Sequence, residues 1–105
     1  MKILVVCNAG MSSSILVKKM AEHAKSIGEE ASVQAVSSSS VADEKGKWDV
    51  CLVAPQIKYA VADVQAKLGI PTAAVDMRVY AMADGKAAYE AAKAAVEAKT
   101  GVKEG

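Results

Sequence analysis

Residues Cys7-Asn8-Ala9-Gly10-Met11-Ser12-Ser13-Ser14 place a thiol directly before a glycine-containing turn and a run of hydroxyls. A thiolate is a strong nucleophile, and its surroundings decide how much of it is present. Gly10 can take positive φ and let the loop curl, so that successive backbone N–H groups face one centre. The first N–H groups of a following helix lack intrahelical partners and carry the positive end of the dipole. Ser12, Ser13 and Ser14 add donors or cap that helix. The pattern describes a nucleophile inside an anion cradle of phosphate size, and the same field is expected to lower the Cys7 pKa. It suggests a phosphocysteine intermediate. Composition alone leaves a second reading equally open, since a strand-end cysteine before a capped helix also serves as a core thiol. Cys51, between Val50 and Leu52, reads as an inert core thiol.

Such a loop needs a strand before it and a helix after it. Four β-rich runs alternate with helical patterns: Ile3–Cys7, Ala31–Val36, Asp49–Ala54 and Thr72–Asp76. The unbroken apolar character of the first and third suits parallel strands covered on both faces. From Ser12 to Ile27, a stripe of Leu16, Met20, His23 or Ala24, and Ile27 predicts an amphipathic helix that stops at Gly28. A second helix is expected over Gln56–Leu68, with Ile57, Val61, Val64 and Leu68 inward and Gly69 ending it. A third runs from about Asp84, a good N-cap, to about Lys99. Ser37–Trp48 reads as a loop or a short capped helix, and the tail from Thr100 to Gly105 as frayed. The expected fold is α/β, a four-stranded parallel sheet flanked by helices on both faces, with right-handed crossovers. Ligands of such sheets collect beyond the carboxyl ends of the strands, which gathers the loops after Cys7, Ala54 and Asp76 on one edge.

Size and charge narrow the function classes. The 105 residues suffice for one domain, 1–105. The 13 basic against 12 acidic residues leave a net charge of +1, so no bulk field attracts nucleic acid or anionic lipid. One Trp, three Tyr and no Phe are too few for a base-stacking surface. No apolar run approaches the roughly 20 residues that span a bilayer, so direct membrane insertion is not expected. With two cysteines in strand-like contexts, the default compartment is a reducing cytosol.

The stretch Cys7 to Ser14 after an apolar strand resembles the phosphocysteine loop of the lactose/cellobiose-type enzyme IIB family, components of the sugar phosphotransferase system. Further matches follow in order: Ala54-Pro55-Gln56-Ile57 with Tyr59 after the third strand, then Asp76, Tyr80 and Asp84-Gly85 after the fourth. The resemblance covers about residues 2–98, and Ala81 departs from it where many relatives carry Gly. It implies that Cys7 accepts a phosphoryl group from a phosphohistidine of enzyme IIA. Cys7 then passes that group to a sugar held by the membrane permease, enzyme IIC. The sugar class it implies is a β-linked disaccharide such as cellobiose, chitobiose or lactose. No metal or other cofactor is implied.

The sharpest rival is a cysteine phosphatase of the low-molecular-weight type, whose loop reads C-x-x-x-x-x-R on a similar sheet. Counting from Cys7, its arginine position holds Ser13. Without that bidentate phosphate clamp, transfer to a sugar fits better than transfer to water. Asp76 followed by Met77-Arg78 stands on another loop. Gln56 and Tyr59 either touch the phosphate loop or a partner, or simply start a helix as surface Gln and half-buried Tyr. Asp76 either binds loop amides or ends a strand; Tyr80 and Arg78 meet a partner or lie in a solvated loop. Met11 sits where an interface contact or helix-entry packing would serve equally. His23, beyond the loop and beside the apolar stripe, reads as structural.

Overall fold

A computed structural model of the chain describes residues 1–7 and 14–100, the last three of these as backbone. The strand β1 (Lys2–Cys7) lies between two neighbours, and its residues Ile3 to Cys7 are all fully buried. A strand covered on both faces must be apolar at every position, which is why this run does not alternate. β2 (Ser32–Ser37), β3 (Val50–Val53) and β4 (Thr72–Ala74) complete a wholly parallel sheet in the order β2-β1-β3-β4. β2, at the edge, is only half-covered.

Helices cover both faces. The side chains of Ile3, Val5, Val50 and Leu52 meet Leu16, Met20 and Ala24 of α1 (Ser14–Ser26) and Ala88, Tyr89 and Ala92 of α4 (Gly85–Thr100). On the other face, Leu4, Val6, Cys51 and Val53 pack with Val41 of a 3-10 helix (Ser38–Glu44) and with Val64 and Leu68 of α2 (Val61–Leu68). Burying one such aliphatic side chain is worth about 1.5–3 kcal/mol, so the two layers together supply the main driving force for folding.

The departures from the sequence reading have local causes. The inward stripe of α1 ends at Ala24; the helix stops at Ser26, Gly28 turns the chain at φ +77, and Ile27 is left 47% exposed. The helix expected over Gln56–Leu68 is divided into a 3-10 segment (Pro55–Ala60) and α2, with Ile57 at φ −124, ψ 34 marking the break. Ile57, Val64 and Leu68 are buried as the stripe requires, whereas Val61 is only half-buried. Gly69, at φ +70, closes α2 by donating to the Gln65 carbonyl at 2.7 Å. β4 stops at Ala74, short of Asp76, because Asp76 belongs to the next element. That element, α3 (Met77–Ala81), does not figure in the sequence reading at all. Asp84 caps α4 as expected, its Oδ1 accepting from the Ala87 N–H at 3.0 Å.

Candidate functional site

Because β1 has a neighbour on each side, its last residue stands mid-way along the carboxyl edge of the sheet. Cys7 pairs with Ser37 of β2, Val6 with Val53 of β3, and Val53 with Ala74 of β4. One residue further, the Ala54 N–H donates to the Val6 carbonyl and the Val75 N–H to the Val53 carbonyl, each at 2.8 Å. Ser37, Cys7, Ala54 and Val75 therefore form one row across the edge. The segments leaving it start helical turns at Ser38, Pro55 and Met77, and α1 begins at Ser14. The ends of β1 and β3, the start of α1 at Ser14 and the start of α3 at Asp76 thus gather where the sheet topology directs ligands.

The sulfur itself is covered. Cys7 is 0% exposed, and its Sγ lies 4.0 Å from the Val36 carbonyl oxygen, a long contact for a thiol donor. It packs in the same core cluster as Leu4, Val6 and Val41. The last position of a central strand sits between the covering layers, so the burial of Cys7 agrees with the core-thiol reading in this structure. The cradle residues Asn8, Ala9, Gly10, Met11, Ser12 and Ser13 lie outside the described residues. Ser14 is exposed and opens α1. Cys51 is equally buried, with its Sγ 3.8 Å from the Leu52 carbonyl, and burial pushes its thiol up to about 12. The inert reading of Cys51 stands.

Asp76 does not end a strand; it opens a helix. Its Oδ2 accepts from the N–H groups of Arg78 at 2.9 Å and Val79 at 3.4 Å, capping α3. Tyr80 is not in a solvated loop; it is half-buried in α3 and packs against both core clusters at this edge. Tyr59 is 81% exposed, more open than a half-buried ring, and Gln56 and Arg78 are exposed as well. A groove of about 450 Å³ runs between the 3-10 segment and α3, lined by Pro55, Lys58, Ala74, Val75, Asp76 and Met77. Lys58 was invisible to sequence reasoning as a lining residue, although Asp76 before five helix-compatible residues is a signal for α3. His23 packs edge-to-face on Tyr89, with ring centroids 5.6 Å apart, which makes it structural. A larger depression of about 630 Å³ lies at the opposite, amino edge of the sheet, among Met1, Lys2, Lys25 and Glu29 to Ser32. No cysteine is among its lining residues. Among the described residues no group of three or more His, Cys, Asp or Glu side chains could hold a metal ion, and no helix is long and apolar enough to cross a membrane.

A parallel α/β sheet with a cysteine at the end of its central first strand defines a class of small thiol-bearing domains. Comparison with known proteins narrows it. Residues 2–91 match the family described as PTS system, Lactose/Cellobiose specific IIB subunit. An oligo-beta-mannoside-specific EIIB component of Bacillus subtilis (strain 168) is 44% identical over 94 residues, covering 87% of this chain and 91% of that one. A galactose-specific EIIB component of Lactococcus lactis subsp. cremoris is 31% identical over 99 residues, covering 87% and 92%. Among solved structures, a cellobiose-specific phosphotransferase IIB component of Borrelia burgdorferi superposes with a TM-score of 0.78 at 31% identity, with 94% of each chain covered. A lactose-specific IIB component domain of Streptococcus pneumoniae, at 22% identity and TM-score 0.73 over 92% and 95% of the two chains, shares the fold. The chain belongs to the lactose/cellobiose-specific IIB family of the sugar phosphotransferase system. It is a phosphotransferase component of that system, which works with IIA and IIC partners.

Proposed function

We propose that Cys7 is the phosphoryl carrier. Its thiolate attacks the phosphorus of a phosphohistidine on enzyme IIA; an S–P bond forms as the P–N bond breaks, and the imidazole keeps the electron pair. In the second transfer a sugar hydroxyl held by enzyme IIC attacks the same phosphorus. The O–P bond forms, the S–P bond breaks with its electron pair on sulfur, the hydroxyl proton passes to water and the thiolate is regenerated. A thiolate suits both steps, being a good nucleophile and a good leaving group. Catalysis then rests on positioning and on donors to the equatorial oxygens, the role of the loop Asn8 to Ser14. The sugar is a β-linked disaccharide of the cellobiose, chitobiose or lactose kind. The oligo-beta-mannoside and galactose specificities named for relatives widen that class. The compartment is the cytosol, where the phosphohistidine of enzyme IIA and the sugar held by enzyme IIC are both reached.

The observation that carries this reading is the place of Cys7, at the carboxyl end of β1, a strand paired on both sides that leads to the α1 segment. Partners would dock at this edge, from whose segments Ile15 at the start of α1, Tyr59 and Met77 are 62%, 81% and 67% exposed. Transfer demands a form of this edge in which the sulfur can be reached. The deciding experiment is intact mass after incubation with phosphoenolpyruvate, the general phosphotransfer proteins and enzyme IIA. One added phosphoryl group is expected on the wild type and none on Cys7→Ser; a phosphorylated Cys7→Ser protein removes Cys7 from the reaction.

A further inference from the structure

Gly85 is the first residue of α4 and is buried. A Cβ at this position would lie 2.5 Å from the carbonyl oxygen of Lys19 and 2.6 Å from its Cβ, and closer still to its carbonyl carbon. These are main-chain atoms in the middle of α1 and the root of one side chain, so they cannot swing aside. Below van der Waals contact, repulsion rises steeply and close-packed interiors answer by shifting whole elements. Only glycine lets α4 cross α1 at this distance.

Lys19 lies five residues beyond Ser14, about 7.5 Å along the helix at 1.5 Å per residue. The first turns of α1 are thus held between β1, which delivers Cys7, and the α4 crossing. The other side of that crossing is also pinned. α3 ends in a closing turn in which the Ala83 N–H donates to the Tyr80 carbonyl at 3.2 Å and the Asp84 N–H to the Val79 carbonyl at 2.9 Å. Asp84 then caps α4 at once, so no slack separates α3 from Gly85. Tyr80, on the short helix so anchored, packs against both cores at the Cys7 edge.

We infer that Gly85 is a positioning residue for the cysteine edge: by admitting the backbone of Lys19, it fixes where α1 starts relative to Cys7. The inference rests on Cys7 as the reacting group but concerns the placement of α1, which can be read without any transfer. Gly85 is buried, so its replacement alters no docking contact. In Gly85→Ala, α1 is displaced at the crossing and its start moves relative to the sulfur. A misplacement of about 1 Å costs on the order of a hundredfold in rate.

The test compares wild type, Gly85→Ala, Gly85→Ala/Ala83→Gly and Ala92→Gly. Single-turnover phosphoryl transfer from phosphorylated enzyme IIA, enzyme IIA affinity, Cys7 alkylation by iodoacetamide and thermal stability are measured for each. Gly85→Ala is expected to slow transfer about tenfold to a hundredfold with unchanged affinity, and to change the alkylation rate of Cys7 several-fold. Ala83→Gly, which relieves a strained turn, returns stability to Gly85→Ala without returning rate. Ala92→Gly loosens the same helix pair two turns away; it loses stability and keeps both rates. Recovery of rate along with stability, or equal losses in Ala92→Gly, overturns the inference. If Gly85→Ala does not fold, Ala88→Val, one turn along the same contact, carries the same expectation on a smaller scale. Wild type that takes no phosphoryl group is a failure of the reaction reading, and the alkylation rates then decide the placement alone. Unchanged alkylation in the folded wedge variant sinks it.

Discussion

The phenol of Tyr89 donates a 2.6 Å hydrogen bond to Oε1 of Glu29, sixty residues away in the chain. Lys93, one turn along α4, donates to the other oxygen of the same carboxylate at 3.0 Å. Glu29 follows Gly28 at the exit of α1, so this clasp ties the end of α1 to α4 at the edge opposite Cys7. Burial first, then the hydrogen bond to Glu29, pushes the Tyr89 phenol up to about 12. The bonds from Tyr89 and Lys93 hold the Glu29 carboxyl below its usual range.

The clasp makes stability depend on pH at both extremes. The Tyr89 phenol is raised in the folded state, so its contribution is complete below the unfolded value near 10 and is lost as pH rises toward about 12. Glu29 is lowered, so its contribution is present above the unfolded carboxyl value and fades as pH falls through the folded one. Tyr89→Phe should lower the melting temperature at neutral pH and flatten the alkaline limb of the stability curve. An alkaline limb unchanged in Tyr89→Phe would remove Tyr89 as its source.

The two cysteines should part company in alkylation. With its thiol raised to about 12, Cys51 carries a thiolate fraction of about one in ten thousand at pH 8 and should stay unmodified in the native protein. Cys7 should react with iodoacetamide there, since phosphoryl transfer requires its sulfur to be reached. Peptide mass mapping over a pH series reads both. Equal profiles would mean that Cys7 is as sealed in solution as Cys51, and the carrier role would fall.

Asp76 separates capping from chemistry. Asp76→Ala removes the acceptor for the Arg78 and Val79 N–H groups and should cost about 1 kcal/mol. Asp76→Asn caps nearly as well, so it should retain both stability and phosphoryl transfer. Transfer lost in the folded Asn variant would show that the carboxylate charge is used in the reaction, contrary to its assignment as a cap.

Ala83 occupies the left-handed region at φ +52, in the turn position where helices usually carry glycine. Ala83→Gly removes a strain of about 1 kcal/mol. Melting should rise by about 4–8 °C for a domain of this size. A drop in denaturation midpoint would mean that the methyl, half-buried here, packs usefully enough to outweigh the strain.

Much of this architecture was legible in one dimension. The unbroken apolar runs of β1 and β3 marked strands covered on both faces, and Leu16, Met20 and Ala24 marked the inward stripe of α1. Gly28, Gly69 and Asp84 marked ends and a cap, because these signals depend only on neighbours in the chain. Ile27 failed for the same reason: periodicity continues past a helix end that the next glycine decides. Of the site, sequence supplied Cys7 and the edge it belongs to, while Asn8 to Ser13 lie outside the described residues.

Tertiary structure decided what periodicity cannot carry. The order β2-β1-β3-β4 sets Cys7 between Ser37 and Ala54, and the sulfur at that place is covered. Gly85 against Lys19, Tyr89 against Glu29 and Tyr80 between two cores each join residues far apart in the chain. Local patterns report which face of an element is apolar. Which element meets that face, and how closely, is set only when the layers close on the sheet.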